Sequence, residues 1–180
     1  MKLRFVLFLC IHCSVVWGQN VHCFLGVMNA PIPLYYDSID ESERFMYVYQ
    51  DSVSEVYYDL EILDQSSSRF MVNLVGERDP QHQNTISWIN KRDCAVWIWT
   101  MQSTRNEHVF RLFKEPNLKS EYKEFVEKNI TTRLSEIIDY KESGWIKIQI
   151  KTQLGDYEGW TLNYCDNIYG FCEEGNPYQK

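Results

Sequence analysis

Glu61-Ile62-Leu63-Asp64 and Glu136-Ile137-Ile138-Asp139 are near-copies of one four-residue phrase, 75 positions apart. Each is followed by an apolar alternation, then by a Trp and a Cys. The first copy ends in Ser87-Trp88 and Cys94, the second in Gly159-Trp160 and Cys165. The tryptophans are 72 apart and the cysteines 71, so the register drifts only by loop-sized amounts. A repeat of this length is a whole small domain rather than a solenoid turn.

Working outward from the phrase, strand patterns dominate. In the first copy Phe70, Val72 and Leu74 alternate with Met71, Asn73 and Val75. In the second, Ile146, Ile148 and Ile150 alternate with Lys147, Gln149 and Lys151, the mark of a strand buried on one face. Gln65 to Ser68, Ser143-Gly144 and Gly155-Asp156 read as turns. The prolines at 31 and 33 hold Ala30 to Tyr36 extended. Met46–Tyr49, Val53–Leu63, Ile86–Trp99 and Leu134–Tyr140 are rich in β-formers. One segment differs: Leu118, Tyr122, Phe125 and Val126 share a side at helical spacing, which predicts a short helix within Leu118–Lys128. The expectation is an all-β chain of two small barrels, residues 19–104 and 105–180, meeting at a short polar junction over Met101–Glu107.

Residues 1–18 read as a secretory signal peptide: Lys2 and Arg4 precede a mostly apolar run, and Val16 and Gly18 suit cleavage before Gln19. Loss of Lys2 and Arg4 with the leader takes the net charge from −7 to −9. That balance argues against nucleic acid as a partner. No later segment is apolar enough to span a bilayer. A secreted or periplasmic protein is expected, with the four remaining cysteines in two disulfides. Cys165 and Cys172, seven apart around Gly170, are paired, leaving Cys23 with Cys94. The His and Cys spacings suit no metal.

Ser143-Gly144-Trp145-Ile146-Lys147-Ile148, a hairpin, and then Tyr157-Glu158-Gly159-Trp160-Thr161 resemble the bacterial Src-homology-3-like domain, with Leu112 to Pro116 similar to that family's opening strand. The first copy departs from it: Arg69-Phe70 stands for Gly-Trp, and Ser87-Trp88-Ile89 for Gly-Trp-Ile. The resemblance implies a non-catalytic module that binds a cell-envelope peptide or glycopeptide, or a protein partner as scaffold or inhibitor, without a cofactor. Tyr35, Tyr36, Trp88, Tyr157, Trp160 and Tyr164 are the expected aromatic groove, with acidic loops such as Asp37–Glu43 favouring a basic ligand group. Glycine before Trp160 lets a neighbouring strand approach closely.

Arg92-Asp93-Cys94-Ala95 is similar to the Asp-Cys start of a cell-wall cysteine-peptidase motif. Such chemistry needs a base beside the thiol. His108, fourteen residues on, is the one His after Cys94, and Val96 to Trp99 read as strand. Half of a disulfide is the expected role. The carboxylate clusters at Asp37 to Glu43 and Glu173-Glu174 read as solvated surface rather than as glycosidase acids, and no calcium-loop order is present. Asn129-Ile130-Thr131 is a glycosylation sequon.

Overall fold

The computed structural model describes residues 21–26, 30–39, 43–50, 58–75, 84–162 and 164–165. Among the described residues fourteen strands build one antiparallel sheet. They are β1 (Val21–Leu25), β2 (Pro31–Tyr35), β3 (Arg44–Tyr49), β4 (Asp59–Gln65), β5 (Arg69–Val75), β6 (Thr85–Asn90) and β7 (Cys94–Ile98). Then come β8 (Met101–Gln102), β9 (His108–Phe113), β10 (Tyr122–Val126), β11 (Leu134–Tyr140), β12 (Ile146–Thr152), β13 (Gly155–Thr161) and β14 (Tyr164–Cys165). The path runs β10-β9-β13-β12-β11-β7-β1-β4-β5-β6-β2-β3, with β14 beside β7 and β8 beside β9. Single 3-10 turns lie at Lys91–Asp93 and Glu127–Asn129.

The repeat is visible in the register. Ile62 pairs with Val72 and Ile137 with Ile148; a β-bulge follows at once in both strands, between Ile62 and Asp64 and between Ile137 and Asp139. The strand order β3-β2-β6-β5-β4-β1-β7 in the first half has its counterpart β10-β9-β13-β12-β11-β7-β14 in the second. Strand β7 therefore closes the first repeat and opens the second. One of its edges carries β11; the other carries β1 and then β14. The halves are not two separate bodies joined back to back but one continuous sheet.

Alternation makes the core. Phe70, Val72, Leu74, Ile146, Ile148 and Ile150 are all fully buried, and they belong to a single apolar cluster drawn from both halves. At roughly 25 cal/mol per Å² of apolar surface, each such side chain contributes about 1.5–3 kcal/mol.

Three expectations are corrected. The helix over Leu118–Lys128 is strand β10 followed by a 3-10 turn. Phe125 sits opposite Phe110 and is buried, while Tyr122 lies opposite Phe113, so pairing with β9 overrides the local helical spacing. Met101–Glu107 is a hairpin rather than a spacer: β8 pairs with β9, and Ser103 N donates to Glu107 O at 2.7 Å. Cys23 and Cys94 are thiols, not a disulfide. Cys94 stands opposite Leu25, which puts Cys23 two residues along on the same face. Diagonal neighbours on a sheet are about 7–8 Å apart, too far for the roughly 3.8 Å Cβ separation of a disulfide. Cys165 is disulfide-bonded, and Cys172, its expected partner, lies outside the described residues.

The bulges meet at the seam between halves. Gln65 Nε2 donates to Asp139 Oδ1 at 2.6 Å and to the Tyr140 carbonyl at 3.3 Å. Lys91 Nζ donates to Gln65 Oε1 at 3.0 Å and to the Ile138 carbonyl at 3.2 Å. Burial pushes the Lys91 ammonium pKa down, against the pull of Asp139. Burial pushes the Tyr140 phenol pKa up, helped by the charges of Asp64, Glu142 and Asp139. A raised phenol pKa means that the folded chain keeps this proton when the unfolded chain has lost it. The contribution is complete below the ordinary value of 10.0 and is lost as pH rises through the folded value. Tyr140→Phe should therefore lose less stability than the parent protein between about pH 9 and about pH 11, read by denaturant titration at each pH.

Candidate functional site

The structure does not gather the six expected groove residues in one place. On β2 and β6, Tyr35 stands directly opposite Trp88, and both are half-buried. Tyr36 follows the strand, is 64% exposed, and meets Phe45 with ring centroids 4.9 Å apart. Trp160 occupies the place in the second half that Trp88 has in the first, opposite Phe113, but it is buried. Tyr164 packs against the core beside β7. Tyr157 lies at the far end of β13 and is half-buried.

The register explains why the two tryptophans differ. Phe113, Trp145, Trp160 and Leu162 form a small cluster of their own, apart from the main core, with Phe113 and Trp145 edge-to-face at 5.2 Å. Trp145 corresponds to Arg69, not to Phe70, because Gln65 faces Phe70 as Tyr140 faces Ile146. Arg69 takes over the role of the indole. Its guanidinium lies 3.6 Å from the Tyr35 ring centroid, and Nη1 donates to the Asp37 carbonyl at 3.0 Å and also to the Ile39 carbonyl. A charged group bonded in this way holds a loop that an indole would not. Gly159 is required where it stands: a Cβ there would meet Leu112 Cβ at 2.9 Å and the Phe113 carbonyl oxygen at 3.0 Å. Its counterpart Ser87 is buried with its hydroxyl unpartnered among the described residues.

A separate aromatic surface surrounds Tyr157. A groove of about 310 Å³ runs along β9, β10 and β13, lined by Leu112, Phe113, Tyr122, Lys123, Phe125 and Tyr157 among others. Phe125 and Tyr157 are 5.0 Å apart, and Lys123 Nζ sits 3.6 Å from the Tyr157 ring centroid. Sequence reading missed Lys123, Phe125 and Tyr122 because it placed them on a helix. The usable signal was the strand alternation that puts Lys123 and Phe125 on one side. The rim of this groove carries both signs, Lys114 and Lys123 beside Glu121 and Glu158. Lys114 approaches Glu121 at 4.0 Å in solvent, and Lys147 pairs with Glu158.

Cys94 is fully buried, and its thiol lies 3.9 Å from the Asn90 carbonyl as a weak donor. His108 is at the surface, 3.9 Å from Glu127. The Cys94 sulfur thus lies inside the core, while the His108 ring is at the surface. Among the described residues no three His, Cys, Asp or Glu gather as a metal would require, and no helix is long and apolar enough to cross a membrane. Comparison with protein-family models and with curated proteins finds no match.

Trp160→Ala should lower the unfolding free energy by about 3–5 kcal/mol, the usual cost of truncating a buried aromatic. Trp88→Ala, at a half-buried position, should cost visibly less. Urea denaturation of the two variants checks the order.

Proposed function

We propose that the chain is an exported, non-catalytic binding protein built from two Src-homology-3-like repeats sharing one sheet, and that the Tyr157 groove holds its ligand. The observation that carries this reading is the stack of Lys123 on Tyr157 beside Phe125, in a groove that is aromatic on its floor and mixed in charge at its rim. Aromatic rings of this kind give contact area at low entropy cost. A rim with both signs suits a ligand that carries both, such as a cell-envelope peptide or glycopeptide with amino and carboxylate groups. The Gly144-Trp145 and Gly159-Trp160 pairs of the second half, and the close strand approach at Gly159, support the family resemblance. Burial of Cys94 weighs against the peptidase reading.

A second reading, in which the partner is another protein, is favoured by the bare aromatic strand at the other end of the sheet, where Phe45, Tyr47 and Tyr49 are exposed.

Purified secreted protein mixed with isolated peptidoglycan should co-sediment with it. Tyr157→Ala should weaken the association by about tenfold or more while leaving the thermal melt near that of the parent, because Tyr157 is only half-buried. A parent protein that stays in the supernatant, or a Tyr157→Ala variant that sediments as well as the parent, would refute the assignment.

A further inference from the structure

Among the described residues the sheet has two end strands, β3 and β10, and they occupy equivalent places in the two repeats. Ile32 pairs with Val48 as Phe110 pairs with Phe125, and Leu34 with Met46 as Leu112 with Lys123. Position by position, Met46 and Tyr47 of β3 stand where β10 has Lys123 and Glu124. The β10 edge is thus guarded by charge, and Glu124 is tied to Arg111 at 2.9 Å. Charges on an end strand discourage further pairing. The β3 edge has no such guard: between Arg44 and Gln50 there is no charged residue and no proline.

Strand β3 also carries an aromatic face. Phe45, Tyr47 and Tyr49 alternate outward at 39%, 48% and 49% exposure, while Val48 points into the core. Tyr36 extends the patch beside Phe45, and Arg44 Nη1 donates to the Tyr47 hydroxyl at 2.6 Å. Among the described residues only β2 pairs with β3.

We infer that β3 is a dimerisation edge, pairing antiparallel with β3 of a second copy about a twofold axis at Tyr47. The strand is complementary to itself in that register. Tyr47 meets Tyr47 of the second copy, and Phe45 meets its Tyr49. Met46 meets its Val48, which continues the inner face, and Arg44 meets its Gln50. Aromatic cross-strand pairs of this type each add stability, and a twofold contact uses the same patch on both partners. Electrostatics permit this occupant: the ladder from Phe45 to Tyr49 is neutral, so two copies of this acidic chain meet there without bringing like charges face to face. Because both β3 edges are consumed, and both β10 edges stay guarded, association stops at two.

Sedimentation equilibrium of the secreted chain, from about 1 to about 200 µM, should show a monomer–dimer equilibrium with nothing larger. Tyr47→Lys, which opposes two ammonium groups at the axis, should weaken dimerisation by on the order of a hundredfold. Tyr47→Cys gives a readout independent of that substitution: residue 47 faces itself, so mild oxidation should yield a covalent dimer in a chain with the parent's circular dichroism. Glu124→Cys, at the matching position of the guarded edge, should yield none. A monomer throughout the range overturns the proposal and leaves the edge to a foreign strand. A dimer untouched by Tyr47→Lys, equal crosslinking at both cysteines, or open-ended polymers overturn it as well.

Discussion

Strand β7 is the member on which the rest of the molecule depends. It is hydrogen-bonded along one edge to β11 and along the other to β1 and β14, so both repeats are written into a single ladder. A strand of five residues held in this way cannot slip by one position without turning Cys94, Val96 and Ile98 out of the main apolar cluster and Ala95 and Trp97 towards it. The paired bulges at Ile62 and Ile137 then bend β4 and β11 by the same device. Gln65, Lys91 and Asp139 tie the two bends together. A repeat of about 75 residues buries a modest core by itself. Sharing a strand and one apolar cluster removes the need for either half to be stable alone.

Within that common frame the halves have diverged at matched positions. Trp145, Phe113 and Trp160 make a dry cluster in the second half. Arg69, Tyr35 and Trp88 hold the same places in the first, and there a guanidinium stacks on the ring and captures loop carbonyls. The end strands diverge in the same way, with Lys123 and Glu124 set against Met46 and Tyr47. Equivalent backbones with different side chains let one fold offer two unlike surfaces, a grooved charged one and a bare aromatic one.

Much of the fold was legible in the chain. The Glu-Ile-x-Asp phrase marks the bulged strands, and the alternation at Phe70–Leu74 and Ile146–Ile150 marks the inner face. The glycine before Trp160 marks a close approach between strands, because a side chain there would strike backbone. The site was less legible. Tyr35 and Trp88 do meet, but Trp160 is buried and Tyr157 faces another part of the surface. The residues of the groove were hidden behind a short helical spacing in Leu118–Lys128, a local signal that pairing with β9 overrules. The pairing of Cys23 with Cys94 failed for a similar reason: counting identifies which residues can pair, but a two-residue offset on one face keeps their sulfurs apart.

Composition and periodicity by themselves determined that this chain forms strands, that it repeats, and which side of each strand is apolar. These are properties of neighbours a few residues apart, and a period of two carries them. Only the tertiary structure decided that the repeats share β7 and which rings remain at the surface. It also decided which end strand is left unguarded. Those outcomes rest on contacts between residues far apart in the chain, such as Glu136 with Ala95 or Trp160 with Phe113, whose partners no local pattern specifies.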